Sequence, residues 1–487
     1  MDIFIKRNGN TIEISGSDNS PLPRDLVCKL NAKFKYSRRE QKFVNYRMQY
    51  TFDDVYLCFE TPHKTLVSSY GMFPSIYRWL KDHKYNVRIF ECTSPEKNFV
   101  KLEPDWSVLD NYELREGQRE CLEAFDKKKH GIVCATVGFG KTFLLGLLIQ
   151  MYPKSKFHIV TRSKSVLHEI YTRLVKVSPN VGIFCSDKKV LDKRVMCITA
   201  DSLGRLESDV DFLIFDECHQ AAAPTYSRAI TEKYTHARCY GFTATPTGRS
   251  DGADKALTFL FGDVIYTMSY ADGVEKGLVV PINVEWLRCD ECDMAYSPWS
   301  SKVTNFRNFI WRNDYRNALI AKYVHENLDP KEQVLILVAS VEHAVYLHKF
   351  LPEFTLVYGS MQDIDRYKRY NLLPEDYKEM NPKERKQAQE DFKSGKLRKV
   401  IATDVWSTGV DFPDLRCVVM GSARSSSIMG TQSGGRVSRL SFGKNGGKVV
   451  DIVDAFEGGS TPFMSSSKAR QKTYKNLGWK QDAKAFV

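Results

Sequence analysis

A glycine-rich segment at residues 135–142, with the sequence ATVGFGKT, has the residue types that hold a phosphate group. It follows an apolar, strand-like run and precedes a helical one, which is the context that a phosphate loop requires. Gly138 and Gly140 allow the backbone to turn its N–H groups towards the phosphates. Lys141 would neutralise the β- and γ-phosphates of ATP, and the Thr142 hydroxyl would bind Mg²⁺. The alternative is a glycine-rich turn without a ligand.

An acidic pair, Asp216 and Glu217, comes directly after the apolar run at residues 210–215. From the carboxyl end of a strand, Asp216 could reach the metal of the phosphate loop, directly or through water. Glu217 would orient the attacking water and accept its proton, because ATP hydrolysis needs a base in line with the γ-phosphate. His219 could report the state of the nucleotide to a neighbouring loop. An acidic turn without a catalytic role is the alternative.

Two arginines, Arg436 and Arg439, lie in the pattern Q-x-x-G-R-x-x-R that begins at Gln432. A spacing of three residues places both guanidinium groups on one helix face or at the mouth of one loop. Such a pair suits the charge that develops on a transferring γ-phosphoryl group. We predict that these three residues take part in catalysis; a surface arginine pair held in salt bridges is the alternative.

The elements that must position these residues form two series of apolar, β-rich runs separated by helical patterns. This alternation is typical of parallel α/β sheets with crossover connections. Two series imply two lobes, with ligand binding between them. The phosphate loop belongs to the first series and the arginines to the second, so hydrolysis would require the lobes to close. The predicted strands are 131–135, 156–161, 195–199, 212–215 and 239–243 in the first series, and 333–338, 354–357, 399–403, 416–420 and 448–453 in the second.

The ordered set of motifs across residues 114–439 resembles the superfamily 2 helicases. Within that superfamily, it is similar to the branch that contains XPB-like proteins, type I and type III restriction translocases and UvsW-like phage helicases. Besides the phosphate loop, the acidic pair and the arginine motif, five further segments carry the resemblance. They are LREGQ at 114–118, TR at 161–162, TADSL at 199–203, TATP at 243–246 and TDVWSTGVD at 403–411.

The resemblance implies a role for individual residues in these segments. Gln118 is expected to recognise adenine. The residues expected to contact the nucleotide are Arg115, Gln118, Gly138, Gly140, Lys141, Thr142, Gly409 and Asp411. Those expected to contact the nucleic-acid backbone are Thr161, Arg162, Thr199 and Thr403. Those expected to couple the two sites are His219, Thr243 and Thr245.

The expected fold is α/β, with two RecA-like parallel-sheet lobes preceded by a small α+β domain. We predict an amino-terminal DNA-binding or accessory domain at 1–104, an ATP-binding lobe at 105–282 and a second lobe at 283–460. A basic tail would follow at 461–487, where polar residues and lysines favour a solvated, partly disordered terminus.

The predicted function is that of an ATP- and Mg²⁺-dependent DNA helicase or translocase. It would act on branched or forked DNA, by unwinding or branch migration, in phage replication, recombination or repair. One alternative is a translocase that moves along duplex DNA without separating its strands. Another is a non-enzymatic protein that binds DNA junctions, and an RNA helicase is a third.

Four segments lie outside the motifs, and the sequence leaves alternatives open for some of them. The run at 24–47 interleaves basic and aromatic residues, which could bind phosphates and stack on bases or could form two strands with an aromatic core face. Residues 73–87 predict a helix followed by a strand. The segment at 363–380 resembles an insertion that contacts DNA or is a charged surface. Cys289 and Cys292 form a lone C-x-x-C, and zinc would need two more ligands.

Composition sets broad limits on these predictions. The chain has 487 residues and a formal net charge of +12, which is compatible with a polyanionic partner. Residues 1–8 carry no secretory signal, and the scattered cysteines fit reduced thiols. We expect a cytoplasmic protein, in the host cell if the chain is phage-encoded. We also expect a monomer without membrane contact, which could meet recombination or replication proteins.

Overall fold

The computed structural model describes residues 1–44, 47–91, 102–244, 254–406, 412–424, 434–456, 461–482 and 484–486. At 39–44, 47–50, 404 and 484 it describes the backbone alone. The chain forms two compact units, Met1–Met268 and Ser269–Val487. Among the described helices, none has both the length and the apolar character needed to cross a bilayer.

The amino-terminal part of the first unit is a small α+β module. Its five-stranded mixed sheet has the order β5-β6-β2-β1-β7, and a two-stranded hairpin, β3-β4, forms a sheet of its own. The predicted helix and strand at 73–87 are confirmed, but the first part of the basic run at 24–47 is helical. The elements are β1 Asp2–Asn8, β2 Thr11–Gly16, α1 Arg24–Lys33, β3 Lys35–Val44, β4 Arg47–Tyr56, β5 Cys58–Glu60, β6 Leu66–Ser69, α2 Phe73–Asp82 and β7 Asn86–Glu91.

The rest of the first unit is an α/β lobe around an eight-stranded sheet. Its order is β11-β10-β12-β9-β13-β14-β8-β15, and every pair in it except β10-β11 is parallel. All five predicted strands are present, because their apolar runs are buried in the sheet. The elements are α3 Gln118–Lys127, β8 His130–Ala135, α4 Lys141–Met151, β9 Phe157–Thr161, α5 Lys164–Val175, β10 Val181–Phe184, β11 Lys189–Val190, β12 Val195–Thr199, β13 Phe212–Asp216, α6 Pro224–Lys233, β14 Arg238–Thr243, α7 Asp254–Phe261 and β15 Val264–Met268.

The amino-terminal module and this lobe share one apolar core. Buried residues of the module, such as Leu26 and Ile76, belong to the same cluster as Leu213 and Phe261 of the lobe. At Gly71, an added Cβ would lie 2.5–2.8 Å from backbone atoms of α7 and the residue after it. The module is therefore built onto the lobe by close packing.

The second unit is an α/β lobe with a seven-stranded parallel sheet of order β18-β19-β17-β20-β21-β16-β22. The five strands predicted for the second series are all present. The elements are α8 Tyr270–Glu275, β16 Ile282–Cys289, α9 Lys302–Phe306, α10 Asp314–Asn327, β17 Val334–Leu337, α11 Val341–His348, β18 Thr355–Val357, α12 Ile364–Arg369, α13 Pro382–Lys393, β19 Lys399–Ala402, β20 Cys417–Met420, β21 Gly447–Asp454, α14 Pro462–Asn476 and β22 Lys480–Gln481.

The expectation of a solvated carboxyl-terminal tail was wrong for α14 and β22. Arg470 on α14 is buried, and its Nε lies 2.9 Å from Asp451 Oδ2 of the central sheet. Tyr474 donates a hydrogen bond of 2.8 Å to the same carboxylate. Some of the basic and aromatic residues of this segment are buried in the lobe, so a prediction from composition alone was wrong here.

Candidate functional site

The phosphate loop connects β8 to α4 in the first unit. Gly138 and Gly140 both have a φ of +89°, in the left-handed region that favours glycine. Between them, Phe139 is buried and stacks on Tyr266 with ring centroids 5.4 Å apart. The loop is thus anchored by one aromatic side chain and curved by two glycines, and it ends at the amino terminus of α4, where Lys141 and the partly buried Thr142 begin the helix.

A second segment, which contains Arg115 and Gln118, is hydrogen-bonded to this loop. The Gln118 side-chain amide donates a hydrogen bond of 2.8 Å to the Phe139 carbonyl, and its oxygen accepts one of 3.0 Å from the Arg115 backbone N–H. The Arg115 guanidinium donates to the Gly138 carbonyl at 3.0 Å. Both residues therefore hold the backbone of the phosphate loop, next to the place predicted for the nucleotide.

The acidic pair lies beside Lys141. Parallel strands end at the same edge of a sheet, so the end of β13 and the loop after β8 are close. Lys141 Nζ is 3.5 Å from Glu217 Oε1 and 3.9 Å from Asp216 Oδ1. Glu217 has a φ of +53°, a conformation that costs a non-glycine residue about 1–3 kcal/mol and is found mainly at functional sites. The three predicted catalytic side chains of this unit are therefore assembled in one place.

The pKa values of the two carboxyls are shifted in opposite directions. Burial raises the pKa of the Asp216 carboxyl to about 6, against the opposing effect of Lys141. Burial also acts on Glu217, but Lys141 and a hydrogen bond with His219 outweigh it and lower the Glu217 pKa to about 2. The Asp216 Oδ1 atom is buried and accepts no hydrogen bond from the described residues. A buried, unsatisfied carboxylate oxygen fits a divalent cation.

His219 connects the acidic pair to the next strand. Its Nδ1 lies 3.4 Å from Glu217 Oε2 and 3.4 Å from the Thr243 hydroxyl at the end of β14. Both His219 and Thr243 are buried. The imidazole therefore touches the predicted base and the first residue of the TATP segment, where a coupling role was predicted. Thr245, the third residue of that segment, lies outside the described residues.

The predicted nucleic-acid contacts of the first unit lie at the same sheet edge. Thr161 ends β9 and is paired in register with Thr199 at the end of β12. Both side chains are buried, and the Thr199 hydroxyl donates to Ser202 at 3.0 Å. Arg162, next in sequence, is exposed. Of these three predicted contacts, Arg162 is the one whose side chain reaches the surface in this structure.

The arginine motif of the second unit occupies a short 3-10 turn, Gly435–Ser438, and the residue after it. Arg436 is 5% exposed and donates a hydrogen bond to the Trp406 carbonyl, whereas Arg439 is partly exposed. Thr403 is buried at the end of β19, and its backbone accepts a hydrogen bond from Trp406. The structure brings the 403–406 and 436–439 segments together within this unit. Gln432, Gly409 and Asp411 lie outside the described residues.

Sequence reasoning missed a buried lysine close to these segments, which joins residues 413–415 to the turn after the arginine motif. Lys444 is 5% exposed and donates hydrogen bonds to the carbonyls of Pro413 and Leu415, at 3.1 and 2.7 Å. No motif flags a lysine at this position, because its partners are backbone atoms. The C-x-x-C thiols are also held by carbonyls: Cys289 contacts that of Glu291, and Cys292 that of Asn308.

Two family models match the chain in the regions of these sites. The model of the type III restriction enzyme, res subunit, matches residues 111–248, which include the phosphate loop and the acidic pair. The model of the helicase conserved C-terminal domain matches residues 316–441, which include the arginine motif.

Individual relatives and a solved structure agree with these matches. The DNA 3'-5' translocase XPB2 of Sulfurisphaera tokodaii is 27% identical over 357 residues, which cover 67% of this chain and 79% of that protein. The probable helicase D10 of Escherichia phage T5 is 22% identical over 359 residues, which cover 72% of each. The structure of S. cerevisiae Dbp5 bound to RNA and ADP BeF3 is 13% identical, covers 77% of this chain and 91% of Dbp5, and has a TM-score of 0.50. The predicted fold, two RecA-like lobes after a small α+β region, is confirmed.

Proposed function

The chain belongs to the superfamily 2 helicases and translocases, which are ATP-dependent enzymes, and we propose that it is a DNA motor acting on branched or forked DNA. The observation that carries the proposal is the cluster of Lys141, Asp216 and Glu217 behind a glycine-curved loop. These groups match the chemistry of ATP hydrolysis, and the second unit supplies a partly exposed arginine for the same reaction.

The residues of the first unit fit a Mg²⁺–ATP complex. Thr142 and Asp216 would hold Mg²⁺, whose charge would neutralise the β- and γ-phosphates. Lys141 would bind the same phosphates, and its ammonium would leave the acidic pair when it does so. Glu217 would then orient the attacking water and take its proton. Gln118 would read adenine after exchanging its present backbone partners for the base.

Hydrolysis is completed by the second unit. Arg439 would meet the γ-phosphoryl group as negative charge develops on it, while Arg436 holds the segment in place through Trp406. Arg439 would make this contact while ATP is bound and lose it after hydrolysis. This cycle would convert the chemical step into movement along a strand held by Arg162 and Thr403.

DNA is favoured over RNA by the relative named as a DNA translocase, and the T5 relative favours a phage setting. The amino-terminal module would add contacts to branched DNA through its hairpin, whose strands contain more basic than acidic residues between positions 35 and 50. Because the module is packed onto the first lobe, its contacts would move together with that lobe.

A second candidate is a translocase that moves along duplex DNA without separating its strands. The match to the restriction-enzyme model favours it, because that family model is named for a restriction subunit. The two candidates share the ATPase site and differ in the outcome on the DNA.

The test compares ATP hydrolysis and strand separation on single-stranded, duplex, forked and four-way DNA, with RNA of matched sequence. The proposal predicts the strongest stimulation and strand displacement with forked or four-way DNA. Stimulation by duplex DNA without displacement of any strand would establish the second candidate instead. Equal or greater stimulation by RNA would contradict the proposal.

A further inference from the structure

The turn that follows the arginine motif, at residues 441–444, is held by several hydrogen bonds. The Lys444 backbone N–H donates 3.1 Å to the Ser441 carbonyl, which closes a four-residue turn with Gly443 at a φ of +68°. Within this turn, Phe442 is fully exposed. Firm attachment therefore does not come from packing of the turn's own aromatic residue.

Attachment comes from polar contacts with residues 413–416. Lys444 donates to two carbonyls, of Pro413 and Leu415. Ser441 donates to Asp414, and Arg416 donates 3.2 Å to the Gly443 carbonyl. We call these four hydrogen bonds the clamp. Four side chains from two segments contribute to it, those of Ser441, Lys444, Asp414 and Arg416.

Lys444 donates two of the four hydrogen bonds of the clamp, and its burial is the least favourable part of the clamp in free energy. A buried ammonium loses its hydration, and two carbonyls replace only part of that loss. Burial, with Arg416 nearby, lowers the pKa of Lys444 to about 8. Arg439 also lies close enough to act on this group. An apolar residue would fill this position without the loss of hydration. We therefore attribute the presence of the ammonium to its hydrogen bonds with the two carbonyls.

The two ends of the clamped region carry different predicted functions. On one side, Trp406 is packed against Phe392 and Phe412 and follows Thr403, the predicted contact with the nucleic-acid backbone. On the other side lies Arg439, the predicted contact with the γ-phosphate. The Arg436 hydrogen bond to Trp406 joins the same two segments from the buried side.

We propose that Lys444 is a positioning residue that couples nucleic-acid binding near Thr403 to the position of Arg439. Nucleic acid that shifts the backbone at residues 403–406 would then shift Arg439 with it, which would account for stimulation of ATP hydrolysis by nucleic acid. The inference rests on the proposed function, since it assigns the coupling within that same site.

The test is a pair of matched lysine variants in the same lobe. Lys444→Met removes the ammonium and keeps an apolar chain of similar length. Lys448→Met is the control, because Lys448 pairs with Glu285 at 3.2 Å on β21 and takes no part in the clamp. For each protein, kcat and KM for ATP are measured with and without forked DNA, together with nucleotide affinity and Tm.

Lys444→Met is expected to keep its KM for ATP and its basal kcat and to lose about tenfold of the stimulation by DNA. Lys448→Met is expected to keep all three. Equal stimulation in Lys444→Met and the wild type would overturn the inference. If Lys444→Met does not fold, the double variant Ser441→Ala, Arg416→Gln decides, since Ser441 is only partly buried and Arg416 is exposed. Normal stimulation in this double variant would also overturn the inference. A wild type that no nucleic acid stimulates would instead contradict the proposed function, and the inference would fall with it.

Discussion

The phosphate-loop side of the first unit and the arginine segment of the second unit are built in opposite ways. In the first, like and unlike charges crowd together: Asp216 keeps a buried oxygen without a hydrogen bond, and Glu217 has a left-handed backbone. In the second, Arg436 is buried and donates a hydrogen bond to the Trp406 carbonyl, and the clamp holds the neighbouring turn.

The two sides therefore have different roles in the reaction. A site with unsatisfied charge and local strain is stabilised by the ligand that completes it. A segment that satisfies its own polar groups is stable without a ligand and serves to place one outward-facing side chain. We therefore expect substitutions on the first side to abolish ATP hydrolysis. On the second side, we expect some substitutions to lower kcat alone and others to lower folding stability as well.

The largest effect is expected from Lys141→Ala. Loss of the ammonium removes the main cation for the phosphates, so both ATP binding and hydrolysis should fall, with hydrolysis lower by at least about a thousandfold. Lys127→Ala, at an exposed lysine paired with Glu123, is the control. ATP binding and turnover at wild-type levels in Lys141→Ala would remove this residue from the site.

The two arginines should separate in the next experiment. Arg439→Ala is expected to lower kcat by about a thousandfold with nucleotide binding and Tm retained, because it loses a contact of the transition state. Arg436→Ala should lower activity and also cost about 1–3 kcal/mol of folding stability, since the buried Trp406 carbonyl loses its donor. Thermal unfolding and ATPase rates measure both. Equal stability of the two variants would break the proposed distinction.

A smaller effect is expected from His219→Ala. Its imidazole bridges Glu217 and Thr243, so its loss should reduce the stimulation of hydrolysis by DNA about tenfold while ATP binding is retained. His168→Ala, which removes a partly exposed histidine paired with Asp187, is the control. If the His219 variant kept full stimulation, the coupling would have to run through other residues.

The smallest effect on catalysis is expected from Gly71→Ala. The added methyl group would meet backbone atoms of Thr258, Phe259 and Gly262, so the module should lose close contact with the first lobe at a cost of about 1–3 kcal/mol. Gly204→Ala is the control, since the nearest atom there is Lys233 Nζ at 4.0 Å. Chemical denaturation measures the difference. A Gly71 variant as stable as the control would show that the contact yields easily.

Local patterns predicted much of this molecule. The strand at 195–199 was predicted at its observed bounds because five consecutive buried residues leave few alternatives. The sequence also indicated that Lys141, Asp216 and Glu217 share one site, since parallel strands end at a common edge. Helix α1 was missed within the basic run, because its charges obscure the buried stripe of Leu26, Val27 and Leu30.

Long-range polar contacts could not be predicted in this way. The burial of Arg470 depends on Asp451, nineteen positions away, and the clamp depends on backbone carbonyls that have no sequence signature. Likewise, the sequence gives no sign that the amino-terminal module shares its core with the first lobe. Such features follow from how elements pack, so residue types alone do not specify them.

The role of Glu217 as the catalytic base is tested by ATP hydrolysis in Glu217→Gln, with and without forked DNA, beside the wild type. The amide keeps the shape of the side chain but cannot accept the proton of the attacking water. We predict that the variant binds ATP and DNA normally and shows no DNA-stimulated hydrolysis. Substantial DNA-stimulated hydrolysis in the Glu217→Gln protein would show that Glu217 is not the base of the reaction.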